Sequence, residues 1–132
     1  MLTGGCYCAA IRYEAAGQPI NRTNCHCTMC RGTTGAPCVA WFSVYTTAFR
    51  YTQGTPARYR SSQHATRSFC ATCGTQLTFS DDASPDEIDV TTCSLDNMTE
   101  AAPRDHTFTS SQVPWLKIAD GLPGFSRSRS EG

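Results

Sequence analysis

Nine cysteines in 132 residues constrain this chain more than any other feature, because seven of them fall into three short motifs. These are Cys6-Tyr7-Cys8, Cys25-His26-Cys27-Thr28-Met29-Cys30 and Cys70-Ala71-Thr72-Cys73-Gly74. The number is odd, the residues are clumped, and Met1 to Gly5 carries no basic region followed by an apolar run, so metal ligation fits better than a disulfide framework. A tetrahedral zinc takes four soft donors at about 2.3 Å, and CxxC offers two because its tight turn brings both sulfurs to one side. Gly74, directly after the second cysteine, can take the positive φ that lets the backbone curl round a metal.

The rest of the composition describes one globular domain. Apolar residues make up 39% and charged residues 17%, within the range of a chain that buries a core. Eleven basic residues balance eleven acidic ones, which leaves no footprint for nucleic acid or an anionic membrane. No segment approaches the apolar length of a membrane span, and the expectation is a soluble, cytoplasmic protein.

Tyr7 to Tyr13 alternates as a half-buried strand would, which would place Cys6 and Cys8 on one face. Asn24 to Gly35 is rich in Cys, Thr and Gly and reads as an irregular, ligand-bearing loop. Ala36 to Tyr51 suits two or more strands and ends at the turn Gln53-Gly54-Thr55-Pro56. A knuckle at Cys70 to Gly74 leads into another strand, and Ile88 to Leu95 is a further one. No convincing helix emerges. Residues 1–125 form the expected domain, and 126–132, with no apolar side chain to bury, the frayed tail.

Spacing suggests one closed, all-cysteine site from Cys6, Cys8, Cys70 and Cys73, and a closed shell of that kind is structural. Cys25, Cys27 and Cys30 then remain as three thiolates able to hold a second zinc with an open fourth position, where chemistry takes place. The alternative is that His26 or a distant residue closes this site and makes it structural too. In an extended segment His26 would point away from Cys25 and Cys27, which favours a non-ligand role.

These motifs, together with Ser94-Leu95-Asp96, His106, Trp115 and Asp120-Gly121-Leu122-Pro123-Gly124-Phe125 in the same order, resemble the glutathione-dependent formaldehyde-activating enzyme family, which also includes centromere protein V. The resemblance covers nearly the whole chain. It implies an all-β fold of the β-tent type, with stacked antiparallel sheets and little or no helix. It also implies structural ligation by Cys6, Cys8, Cys70 and Cys73, and activity at Cys25, Cys27 and Cys30. The implied reaction is that of a carbon-sulfur lyase, joining formaldehyde and glutathione into S-hydroxymethylglutathione or reversing that step. The implied cofactors are one structural zinc and a second of partial occupancy, since a thiol such as glutathione can become its fourth ligand or compete the metal away.

Arg31, beside the three-cysteine set, suits either a substrate carboxylate or the offsetting of thiolate charge. His106 and Trp115 are candidates for a ligand pocket, although core packing explains Trp115 equally well. Cys38 and Cys93 read as small buried hydrophobes, and His64 as solvated. Two rivals to the enzyme reading stay open: a non-catalytic zinc-binding interaction module with a protein partner, and thiol redox chemistry with Cys38 or Cys93 as nucleophile.

Overall fold

The computed structural model describes residues 1–129. The all-β expectation holds: ten strands among the described residues form two sheets. β1 (Leu2–Gly5), β2 (Arg12–Ala15) and β5 (Phe49–Gln53) make a three-stranded antiparallel sheet. The larger sheet has seven strands, in the order β10 (Asp105–Thr107), β3 (Ile20–Cys25), β4 (Val39–Tyr45), β9 (Glu87–Thr91), β8 (Gln76–Asp81), β7 (Ala65–Phe69) and β6 (Ala57–Arg60). All its pairings are antiparallel except that of β10 with β3.

Period-two alternation sorts the side chains of this sheet. In β4, Phe42 and Val44 enter a core with Tyr13, Leu77 and Val90, while Val39 and Trp41 join a second cluster with Cys25, Cys27 and Cys30. The first core also takes in Cys6 and Cys70, so each group of cysteines has an apolar cluster beside it.

The structure corrects four local expectations. The segment after Cys6 is a tight turn, with Ala9 N–H donating to the Cys6 carbonyl, Cys6 N–H donating to the Ile11 carbonyl, and Ala9 at φ 66. Tyr7 is almost fully exposed while Tyr13 is buried, which an unbroken strand from Tyr7 to Tyr13 would not allow. Second, the block after Asn24 is regular: β3 runs to Cys25, and α1 spans Thr28–Thr34. Local polar groups supply the caps that apolar periodicity does not reveal. The Cys27 sulfur accepts from Cys30 N–H at 3.2 Å, Thr34 Oγ1 donates to the Cys30 carbonyl at 2.7 Å, and Gly35 closes the helix at φ 74.

Third, β9 ends at Thr91, and a 3-10 turn at Thr92–Ser94 leaves Cys93 exposed; Cys38 is half-buried, so neither is a fully buried hydrophobe. Fourth, residues 126–129 are bonded in place. Phe108 N–H donates to the Arg127 carbonyl, Ser110 N–H to that of Ser126, and Arg129 pairs with Asp105. Backbone donors and one charge hold this stretch where no apolar side chain does. The remainder of the expected tail, 130–132, lies outside the described residues.

No helix of the described chain is long and apolar enough to cross a membrane.

Candidate metal centres and the cavity beside them

Cys6, Cys8, Cys70 and Cys73 converge from the turn after β1 and the knuckle after β7, their sulfurs all within 4.8 Å of one another. Cys6 Sγ lies 3.6 Å from Cys8 Sγ, which lies 3.8 Å from Cys70 Sγ. Four sulfurs placed tetrahedrally at about 2.3 Å from one ion stand about 3.8 Å apart, so the donors fit a closed metal site. Backbone amides point at the same sulfurs: Ile11 N–H donates to Cys6 Sγ at 3.2 Å, and the Thr72 and Cys73 amides to Cys70 Sγ at 3.4 Å each. Such donors favour thiolate over thiol. Gly74 adopts φ 81 as its place after Cys73 requires.

Cys25, Cys27 and Cys30 form the second cluster, all three buried. Cys25 ends β3, Cys27 caps α1 and Cys30 sits in its first turn, with Cys30 Sγ 3.5 Å from Cys25 Sγ. Cys27 is held far below an ordinary thiol by hydrogen bonds from the Cys25 and Cys30 thiols, and Cys25 is pushed up by its own hydrogen bonds with Cys27 and Cys30 and by burial. Among the described residues no fourth Cys, His, Asp or Glu donor joins this cluster.

The three-cysteine cluster opens onto a cavity of about 400 Å³, within the range of small-molecule sites. Its floor is one face of the large sheet. Alternate residues reach it from successive strands: Asn21, Thr23 and Cys25 from β3, Trp41 and Ser43 from β4, Glu87 and Asp89 from β9, Phe79 and Asp81 from β8, and Arg67 from β7. Trp41 and Phe79 meet edge to face at 6.4 Å between ring centres. A second hollow, of about 470 Å³, touches Cys6 and Cys73, whose site already has four donors.

Of the cavity side chains not singled out from the sequence, two bear most on its chemistry. Arg67 is 2% exposed, lies with its guanidinium carbon 4.9 Å from the centre of the Phe79 ring, and directs Nη2 to Cys30 Sγ at 4.0 Å. Its Nε and Nη1, like Trp41 Nε1, are buried without a partner, and each such donor costs about 1–3 kcal/mol. Asp89, bonded by the Ser43 hydroxyl at 2.6 Å, has its carboxyl pushed up to about 6 by burial, with that hydrogen bond opposing. Alternation along β7 and β9 would have put Arg67 and Asp89 on the same face as the sheet's other inward residues, had the strands' pairing been known.

The other nominated residues lie off the cavity wall. Arg31 is half-buried on α1, with its Nε buried and unpartnered. Trp115 is 70% exposed, which rules out core packing. His106 is buried, bonding His26 Nε2 through Nδ1 at 2.8 Å and Asp120 through Nε2 at 2.8 Å. His26 itself is wholly buried, held below its usual pKa by desolvation, and outside the sulfur cluster, as a non-ligand role requires. His64 is exposed. Burial pushes the Cys38 thiol up, the opposite of an activated nucleophile.

Comparison with known proteins places this architecture. An uncharacterized lyase of Schizosaccharomyces pombe is 33% identical over 76 residues, a stretch making up 58% of this chain and 55% of that protein, so the match spans about half the relative's length. The crystal structure of a Rhodobacter sphaeroides protein superposes with a TM-score of 0.60 at 20% identity, covering 92% of this chain and 98% of that one, a likeness of fold. The profile of the glutathione-dependent formaldehyde-activating enzymes matches residues 1–111, and the chain belongs to that family.

Proposed function

We propose that this protein is a zinc-dependent enzyme acting on the carbon-sulfur bond of a small thiol-aldehyde adduct, of the S-hydroxymethylglutathione type. The observation that carries this is the three-cysteine cluster on the wall of a ligand-sized cavity, set apart from a four-cysteine cluster whose donor set is complete. Family membership supports the substrate class, and the fission-yeast relative bears the name of a lyase.

In this reading Cys6, Cys8, Cys70 and Cys73 hold a structural zinc, and Cys25, Cys27 and Cys30 hold the second. A zinc bound there supplies a Lewis-acidic anchor that favours a substrate's thiolate over its thiol. The protein's own residues do the rest. Trp41, Phe79 and Phe108 give the cavity an apolar wall against which sulfur and aldehyde meet as positioned partners. The substrate sulfur forms the new bond to the aldehyde carbon, the carbonyl π pair moves to oxygen, and that oxygen takes up the proton the thiol gave up. Lysis runs the same steps backward. Ser43, Asp89 and Glu87 provide the polar end of the cavity against which the substrate's hydrophilic groups rest.

Calorimetric titration of glutathione into wild type and Cys27→Ser, with the rate of adduct formation above background, tests this reading. Binding and rate should both fall at least tenfold in the variant, and a desulfurised glutathione analogue should bind wild type weakly. Equal binding by both proteins, or no rate above background, would favour the non-catalytic interaction module.

A further inference from the structure

We propose that Arg67 is the carboxylate receptor of the cavity, so that the preferred ligand is a thiol bearing a carboxylate a few bonds from its sulfur. The inference rests on the thiol-binding reading of the same cavity and names what else the ligand must carry. Arg67 comes from β7, nowhere near the cysteine motifs in sequence, yet its Nη2 reaches within 4.0 Å of Cys30 Sγ. A group held by this guanidinium therefore lies within one short side chain of a sulfur held beside Cys30.

Three features point to an anionic ligand. Arg67 is 2% exposed, and among the described residues no carboxylate stands within ion-pair distance of it. Asp89 and Glu87 share the cavity, but Asp89 Oδ1 accepts from Ser43, and Glu87 Oε2 accepts from Asn21 at 3.1 Å. Offsetting the charge of the Cys30 sulfur engages one N–H of Nη2 and leaves its second N–H, with Nε and Nη1, unused, so a two-donor edge of the guanidinium that includes Nη2 stays open. Planar forks of this kind match carboxylates, which accept two parallel bonds. The Phe79 ring fixes the plane of the fork, and Trp41 Nε1 adds a further unpartnered donor on the same wall. Arg31, the arginine closest to the motif in sequence, is not on that wall.

The test compares 3-mercaptopropionate with its neutral isostere 3-mercaptopropionamide by calorimetry, on the full metal-loaded chain at one fixed pH. Wild type should bind the acid at least tenfold more tightly than the amide. Arg67→Gln should bind the two alike, and Arg67→Lys should keep part of the preference, because an ammonium keeps the charge without the fork. Circular dichroism and metal content establish that each variant is folded and loaded, and the wild-type comparison stands whether or not Arg67→Gln folds. Equal binding of acid and amide by wild type overturns the inference and leaves the thiol reading intact, as does a full preference retained by folded Arg67→Gln. Failure of wild type to bind either probe overturns both.

Discussion

His26 Nε2 lies 2.8 Å from His106 Nδ1, a bond between residues eighty positions apart that ties the three-cysteine motif to β10. His106 Nε2 continues to Asp120 Oδ2 at 2.8 Å, and the Leu122 amide donates to Asp120 Oδ1 at 3.0 Å. With Asp120 as acceptor, the neutral tautomer of His106 donates through Nε2 and accepts at Nδ1, which makes His26 the donor through its own Nε2. The desolvation that keeps His26 neutral suits it to that single-donor role.

His106→Leu should therefore cost about 1–3 kcal/mol, because it strands a buried His26 N–H. Asp120→Asn should cost less than about 1 kcal/mol, since that end of the relay is 43% exposed. Urea denaturation of the two variants checks the order, and a larger loss in Asp120→Asn would mean that the C-terminal segment, not the histidine pair, holds β10 in place.

The two cysteine sites should separate when mutated. Cys70→Ser or Cys6→Ser opens the closed site, which joins the turn after β1 to the knuckle after β7 and sits in the main apolar core. Metal binding of order 10 kcal/mol coupled to folding is lost with it, so these variants should fail to fold stably. Cys27→Ser removes a candidate ligand from the other cluster but leaves a hydroxyl that can accept from Cys30 N–H and cap α1 in place of the sulfur, so the variant should stay folded with metal still bound at the four-cysteine site. Thermal melts with metal analysis decide this. A Cys70→Ser protein of normal stability and full metal content would show that the closed site is not what holds the sheets together.

The sequence disclosed the cysteine clusters and the all-β character because both are local signals. Residues two or three apart must converge if they share a metal, and β-branched and aromatic runs mark strands wherever they pair. It did not disclose α1, which depends on a cysteine acting as a cap and on threonine hydroxyls returning to backbone carbonyls. The cavity was hidden for a different reason. Arg67, Asp89 and Trp41 belong to strands that become neighbours only through the order β4-β9-β8-β7, and alternation gives the inward residues of each strand without telling which strands adjoin. Arg31 was nominated by closeness in sequence, and Arg67 holds its place by closeness in space.

Asp89 gives the sheet face a measurable pH signature. Burial raises its carboxyl from the ordinary 3.8 to about 6, with the Ser43 hydrogen bond opposing, the charges of Glu87 and Asp81 adding to the rise and that of Arg67 reducing it. In the unfolded chain the proton leaves near pH 4; in the folded protein it stays until about pH 6. Between those values the folded state binds more protons, so the stabilisation Asp89 contributes is complete below pH 4 and is lost as pH rises through 6. Asp89→Asn lacks this titration and can still accept from Ser43 through its amide oxygen. Relative to wild type, the variant should gain about 1–2 kcal/mol between pH 4 and pH 7, a figure reduced from the full shift because Asp89 is only half-buried. Comparing the two proteins at each pH cancels whatever the cysteine sites contribute, since both carry the same ligands. Urea midpoints measured in parallel across that range test the assignment, and a constant difference between wild type and Asp89→Asn would show that Asp89 ionises in the folded cavity as it does in the unfolded chain.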